Sequence, residues 1–316
     1  MKKVVKKILK IASIVLVSII SLVVLVWGGL NVSKFVIYSE YYSIEENVCI
    51  NPGLNDGFVR QGIAYEKDND VIIVSGYMKD KTASRLYVTN TNNESYYVSL
   101  SSNGKVFKGH AGGVSTKHGN VYIANGEKVF TLSLASLLDA KNGDVLDIGL
   151  GQEINNAASF IYADDNYIYV GEFHDGGQYV TDHPYETNDG LYHAIVSQYP
   201  INDLSKPSRV YSIRDKVQGI CFTPNGRVIL STSYGLASSV YYVYNVDDAV
   251  ESGKFLDDAP VYYLNDCKRE VSGPAMAEGL DYYKGKIITL TESASDKYIF
   301  GKFFFANHIV ALDLDK

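Results

Sequence analysis

The sequence predicts an all-β fold, a five-bladed β-propeller, behind one N-terminal transmembrane helix. Three observations carry this reading. A strand-turn-strand unit recurs five times after about residue 56. Tyrosine (26) and glycine (27) far outnumber proline (7), which suits strands joined by tight turns. Ile11 to Leu30 is an unbroken run without a charge.

That run comes first in the chain. At about 1.5 Å per residue it spans roughly 30 Å, the thickness of a hydrocarbon core. Lys2, Lys3, Lys6, Lys7 and Lys10 precede it, which sets the N-terminus in the cytoplasm. Trp27 suits an interfacial anchor near the far end. The run leaves through Gly28-Gly29-Leu30-Asn31, without the small-residue cleavage box of a secretory leader, so it reads as an uncleaved signal anchor. The expected segments are therefore 1–10 as a cytoplasmic basic stretch, 11–30 as the span, 31–40 as a linker and 41–316 as a propeller outside the cytoplasm. The chain holds 36 acids against 29 bases, a net charge of −7, and five of the bases lie in the first ten residues. Such a body repels a phosphate backbone, which argues against nucleic acid as a partner. Cys49, Cys221 and Cys267 are odd in number, so a disulfide framework is not what holds the domain together.

The repeat follows. Unit one opens with Gln61-Gly62-Ile63-Ala64-Tyr65 and returns through Val71–Tyr77. Unit two opens with Gly112-Gly113-Val114-Ser115-Thr116 and returns through Val121–Asn125. Units three, four and five open at Ala158-Ser159, Gln218-Gly219 and Glu278-Gly279, and return through Tyr167–Phe173, Arg227–Ser233 and Lys286–Glu292. Outer strands are expected at Arg85–Thr89 and Ser95–Leu100, at Lys128–Leu134 and Val145–Leu150, at Ala194–Tyr199 and Arg209–Ile213, and at Val240–Asn245 and Pro260–Leu264. Leu134–Ala140 suits one short helical turn. Unit five offers only His308–Leu314 as a third strand. Its fourth is expected from Tyr41–Ile50, which would close the ring and remove an exposed edge. Four strands per unit make a propeller blade, and the long spacings leave room for a sixth.

The Gln-Gly strand starts, with the Ser/Thr-x-Tyr-Gly-x-x-x-Ser ending at Ser231 to Ser238, resemble extracytoplasmic propellers of the gluconolactonase and strictosidine-synthase-like classes and the plant-type glutaminyl cyclases. The resemblance covers roughly residues 57–315 and implies the fold. The gluconolactonase likeness further implies a cation held by carboxylate and amide side chains, with Glu278 and Asn125 matching such roles. The tryptophans of the cyclase sites have no counterpart, since Trp27 lies in the anchor.

Antiparallel pairing puts the start of strand one and the end of strand two at the same rim of the channel. The residues so collected are Gln61 with Ser75 and Tyr77, His110 with Asn125, Ala158 and Ser159 with Glu172 and His174, Gln218 with Ser233 and Tyr234, and Glu278 with Glu292. The ligand-binding candidates are thus Gln61, Tyr77, His110, Asn125, Glu172, His174, Gln218, Tyr234, Glu278 and Glu292. Repeated residues such as Gln61 and Gln218 read first as architecture; the odd ones, His110, Glu172, His174, Glu278 and Glu292, read first as chemistry. Glu278 stands where units one and four carry glutamine. The loop His174–His193 holds Asp175, Asp182, His183, Glu186 and Asp189 but no helical zinc spacing, and reads first as solvated. Cofactors stay open; a divalent cation such as calcium is what an oxygen-rich site would suit.

No nucleophile elbow, P-loop or dinucleotide fingerprint occurs. The functional expectation is a membrane-anchored extracytoplasmic module that binds a glycan, peptide or protein at the channel mouth. The alternative is a hydrolase, lyase or lactonase with a carboxylate- or cation-based site there.

Overall fold

The computed structural model describes residues 2–298, 300–301 and 306–315; Met1 and Lys316, the outer limits of the expected segments, lie outside it, as do 299 and 302–305. The domain is a five-bladed β-propeller. Blade one pairs Phe58–Glu66, Val71–Met78, Arg85–Thr89 and Ser95–Ser102 in sequence order. Blade two pairs Gly113–Lys117, Asn120–Asn125, Lys128–Ser133 and Gln152–Glu153. Blade three pairs Phe160–Ala163, Tyr167–Gly171, Ala194–Pro200 and Arg209–Ile213. Blade four pairs Val217–Phe222, Arg227–Thr232, Ser239–Asn245 and Arg269–Gly273. Blade five pairs Ala277–Tyr283, Lys286–Thr291 and His308–Leu312, and its outermost strand is Glu45–Ile50 from the start of the domain. Glu45 faces Leu312 and Ile50 faces His308, antiparallel, so the expected closure of the ring is present.

Each innermost strand lies against those of its two neighbours, and blade five returns to blade one. The repeated glycine makes this approach achievable. A Cβ on Gly62 would stand 2.5 Å from the backbone nitrogen of Val114 in blade two, and one on Gly279 would stand 2.9 Å from that of Ile63 in blade one. Hydroxyls stitch the same seams. Ser75 Oγ donates to the Ala111 carbonyl (2.7 Å) and Ser231 Oγ to the Glu278 carbonyl (2.7 Å). Lower in the ring, Asp281 accepts from the Tyr65 backbone N–H at 2.6 Å, tying blade five to blade one. Apolar residues of facing sheets fill the spaces between blades, for example Ile63, Val74, Ile288 and Ile309 at the closing seam.

Three expectations are corrected. Val145–Leu150, read as the outer strand of blade two, instead contributes Val145–Asp147 in parallel to Ser95–Ser102 of blade one, and Gln152–Glu153 takes the edge of blade two. Gly149 and Gly151, both at positive φ, turn the chain between these two pairings. Pro260–Leu264, read as the outer strand of blade four, belongs to Ala259–Tyr263, which adds in parallel to Arg209–Ile213 of blade three. There Tyr262 packs under the Arg209 guanidinium, 4.4 Å from ring centroid to Cζ, and beside the Tyr211 ring. Tyr41–Ile44, read with the closing strand, is the end of a short helix, Ser39–Ile44. The short helix expected within Leu134–Ala140 is present at Leu134–Leu138.

The N-terminal helix runs from Lys2 to Ile37, so most of the stretch between span and domain is helical too. Its most apolar 18-residue stretch has a mean hydropathy of 2.8, which with its length suits a membrane crossing, and its apolar faces are exposed. At Tyr38 the chain bends and the short helix docks between blades four and five. Tyr41, 2% exposed, stacks on Tyr241 and covers Gly273. Tyr38 Oη lies 2.9 Å from Ser238 Oγ, and Glu40 pairs with Arg269 at 2.8 Å.

Candidate functional site

The pairing register slips at the start of three innermost strands: between Arg60 and Gly62, between Val217 and Gly219, and between Ala277 and Leu280. The residues inside the slips include Gln61, Gln218 and Glu278. A β-bulge at a rim bends the strand and re-aims a side chain. The repeated Gln/Glu-Gly pair is therefore a bulge signature, common to Gln61, Gln218 and Glu278.

At the seam of blades one and five these bulges build a polar cluster. Gln61 Nε2 donates to Glu292 Oε2 at 3.0 Å, and also to the Arg60 carbonyl at 2.9 Å. Glu278 is 2% exposed. Burial, and next to it the Glu292 charge, push its carboxyl well above the usual range. Burial also lifts Glu292, to about 7, against the opposing pull of the Lys297 ammonium, a Tyr298 hydrogen bond and the Arg60 guanidinium. Two adjoining carboxyls in a dry site do not both ionise readily, so the pair retains a proton near neutrality.

Around the acids stand residues that the strand-end rule did not collect. Lys297 donates to the Tyr77 hydroxyl and lies over the Tyr77 and Tyr298 rings, at 4.7 and 4.9 Å. The Tyr77 and Tyr298 hydroxyls are 3.5 Å apart. His110 meets Tyr77 edge to face at 4.7 Å, and desolvation with the Lys297 charge holds its imidazole below the usual value. Arg60 is wholly buried behind the cluster, giving Nε to the Thr291 carbonyl and Nη1 to the Pro52 carbonyl, both at 3.4 Å, while Nη2 has no hydrogen-bond partner among the described residues. Lys297 and Tyr298 sit in the loop after strand two of blade five, SASDKY, whose mixture of base and aromatic directly after Glu292 is the signal that could have found them.

Five of the expected residues, Gln61, Tyr77, His110, Glu278 and Glu292, thus come together. The others do not join them. Asn125 Oδ1 accepts from the Ala111 N–H at 3.3 Å and braces the turn that carries His110. Glu172, 2% exposed, accepts from the Ile195 N–H at 3.3 Å and pairs with His183 Nδ1 at 2.9 Å, a bond that raises the His183 pKa. His174 stacks on His193. Tyr234 is exposed on the blade-four rim beneath the Lys216 ammonium. Gln218 is half-buried, with no side-chain hydrogen bond among the described residues. The loop read as solvated carries a hairpin, Tyr185–Thr187 with Gly190–Tyr192.

No protein-family model matches the chain, and no curated protein matches its sequence. Solved structures resemble it distantly. A glucose dehydrogenase-type oxidoreductase from Thermus thermophilus is 11% identical with a TM-score of 0.45, over 85% of this chain and 99% of that one. The PQQ-bound aldose sugar dehydrogenase of Streptomyces coelicolor is 12% identical with a TM-score of 0.42, over 78% and 76%. Hydrazine synthase of Kuenenia stuttgartiensis is 9% identical with a TM-score of 0.40, over 75% of this chain and 57% of that one. The likeness extends to the fold and no further.

Proposed function

We propose that this chain is a single-pass membrane protein, N-terminus in the cytoplasm, whose extracytoplasmic propeller binds a polyhydroxylated ligand such as a glycan at the Glu278–Glu292 mouth. The observation that carries the reading is the convergence of Gln61, Glu278, Glu292, Tyr77, Tyr298 and Lys297 from blades one and five. A protonated carboxyl donates a hydrogen bond, its ionised neighbour accepts one, and an amide does both. The Tyr77 and Tyr298 hydroxyls and the Lys297 ammonium beside such a set add hydrogen-bonding groups suited to a ligand rich in hydroxyls. The five lysines ahead of the span support the orientation. Tyr38 bonds to Ser238 just before strand three of blade four, at the same rim as the mouth, so the anchor holds that rim toward the bilayer.

A second reading, a hydrolase, lyase or lactonase, is favoured by the proton that burial keeps on the acid pair, since a carboxyl titrating near 7 is matched to general acid–base work. One experiment serves both. The full chain in detergent is titrated with a panel of glycans and sugar lactones by calorimetry, with product analysis of each mixture. Glu278→Gln should weaken binding at least tenfold, about 1.4 kcal/mol. Product formation by the wild type and not by the variant selects the enzyme. Equal binding by wild type and variant removes the pair from the site.

A further inference from the structure

The structure assigns a second site, a transition-metal site formed by His174, His193 and Asp215 on the rim between blades three and four. The three residues come from separate connections: after strand two of blade three, before its strand three, and after its strand four. One ligand atom from each lies within 4.8 Å of the other two. Two imidazoles and one carboxylate are a set that suits zinc and its neighbours and does not suit calcium, which takes six or more oxygens.

The backbone around the cluster is fixed as a metal site requires. Asp215 Oδ1 accepts from the His193 N–H at 2.9 Å, and the His174 carbonyl accepts from the Lys216 N–H at 2.9 Å. Thr181 braces the His174 ring and the His193 backbone. Its N–H and its Oγ1 each lie 3.0 Å from His174 Nδ1, and Oγ1 donates onward to the His193 carbonyl at 2.5 Å. The Thr181 N–H donates to Nδ1, which leaves the ring proton on Nε2; binding a metal at Nε2 displaces that proton and gives up this bond. The tautomer that carries its proton on Nδ1 gives it to Thr181 Oγ1 and leaves Nε2 bare for a metal, the usual outer support of a ligating histidine. A Cβ on Gly176 would stand 3.7 Å from that Nε2, so no side chain of residue 176 crowds it.

The imidazoles now lie nearly parallel, 4.7 Å between centroids and 15° between planes. Lone pairs of parallel rings do not converge on one ion. Binding therefore turns one ring, and His193 is the one placed to turn: it is half-buried and held by Asp215 Oδ2 at 3.1 Å, whereas His174 is buried. Asp215 also lines a cavity of ≈ 360 Å³ together with Lys216, Ser233 and Tyr234. A metal with three protein ligands beside a cavity keeps an open position for water or a ligand atom.

The test is calorimetric titration of the full chain in detergent with Zn²⁺ and, separately, with Ca²⁺, after chelator treatment. Co²⁺ loading, read by its visible absorption, reports the ligand set. One Zn²⁺ site per chain is expected, with no Ca²⁺ binding there. His193→Ala and Asp215→Asn should each weaken Zn²⁺ binding at least about tenfold. Asp215→Asn keeps the acceptor for the His193 N–H, so it separates ligand loss from misfolding. Zn²⁺ binding that survives both substitutions unchanged, or none at all in the wild type, overturns the site.

Discussion

The Gln61 side-chain amide donates to Glu292 across the seam where blade five meets blade one. This bond joins the repeated residue of the first blade to the acid at the end of strand two in the last.

The pair should make stability depend on pH. A carboxyl whose pKa is higher in the folded chain holds its proton longer when folded. Its contribution is fully present below the unfolded value, about 4.3 for glutamate, and is lost as pH rises through the folded value, about 7 for Glu292. Glu292→Gln stays neutral throughout. Melting of the full chain from pH 5 to 8 should therefore fall less in the variant, with Tm higher than wild type by about 2 °C or more at pH 8. Parallel profiles would count against the pair.

Gly62 should tolerate no side chain. The added Cβ of Gly62→Ala meets backbone, not a flexible side chain, so the blade seam must open. A loss of about 1–3 kcal/mol or more is expected in denaturant unfolding. Substitution at Gly104, which has nothing within 4 Å of its Cβ, is the control for a glycine that only turns the chain; its positive φ costs about 1 kcal/mol. Equal losses at the two positions would remove the packing argument.

Tyr41 should fasten the anchor to the propeller. It is buried against Tyr241 and Gly273. Tyr41→Ala should cost about 3–5 kcal/mol and make the segment 38–44 sensitive to limited proteolysis. Wild-type resistance in the variant would show that the strand Glu45–Ile50 alone holds the junction.

Much of this was legible in the residues. Gln61-Gly62, Gln218-Gly219 and Glu278-Gly279 marked the inner strands because a bulge and a close seam both need a glycine there. The closing strand was legible because unit five lacked one and an unpaired edge is costly. The parallel additions were not. Val145–Asp147 and Ala259–Tyr263 pair with strands of other blades, and a parallel edge pairing leaves no hairpin turn in the sequence to mark it. At the mouth, strand ends were found and loop residues missed. Lys297 and Tyr298 reach the acids from a loop that no strand periodicity positions. Asp215 escaped for the same reason, since it lies 22 positions beyond the His193 it meets.

Glu278 and Glu292 together should keep a proton at neutral pH in the channel mouth. Infrared difference spectroscopy of the full chain, titrated from pH 4 to 9, reads protonated carboxyls directly. A protonated-carboxyl band is expected to persist at pH 6, to decline in part around pH 7 and to be diminished in Glu278→Gln. A wild-type spectrum with no protonated carboxyl at pH 6, or one that Glu278→Gln leaves unchanged, would contradict it.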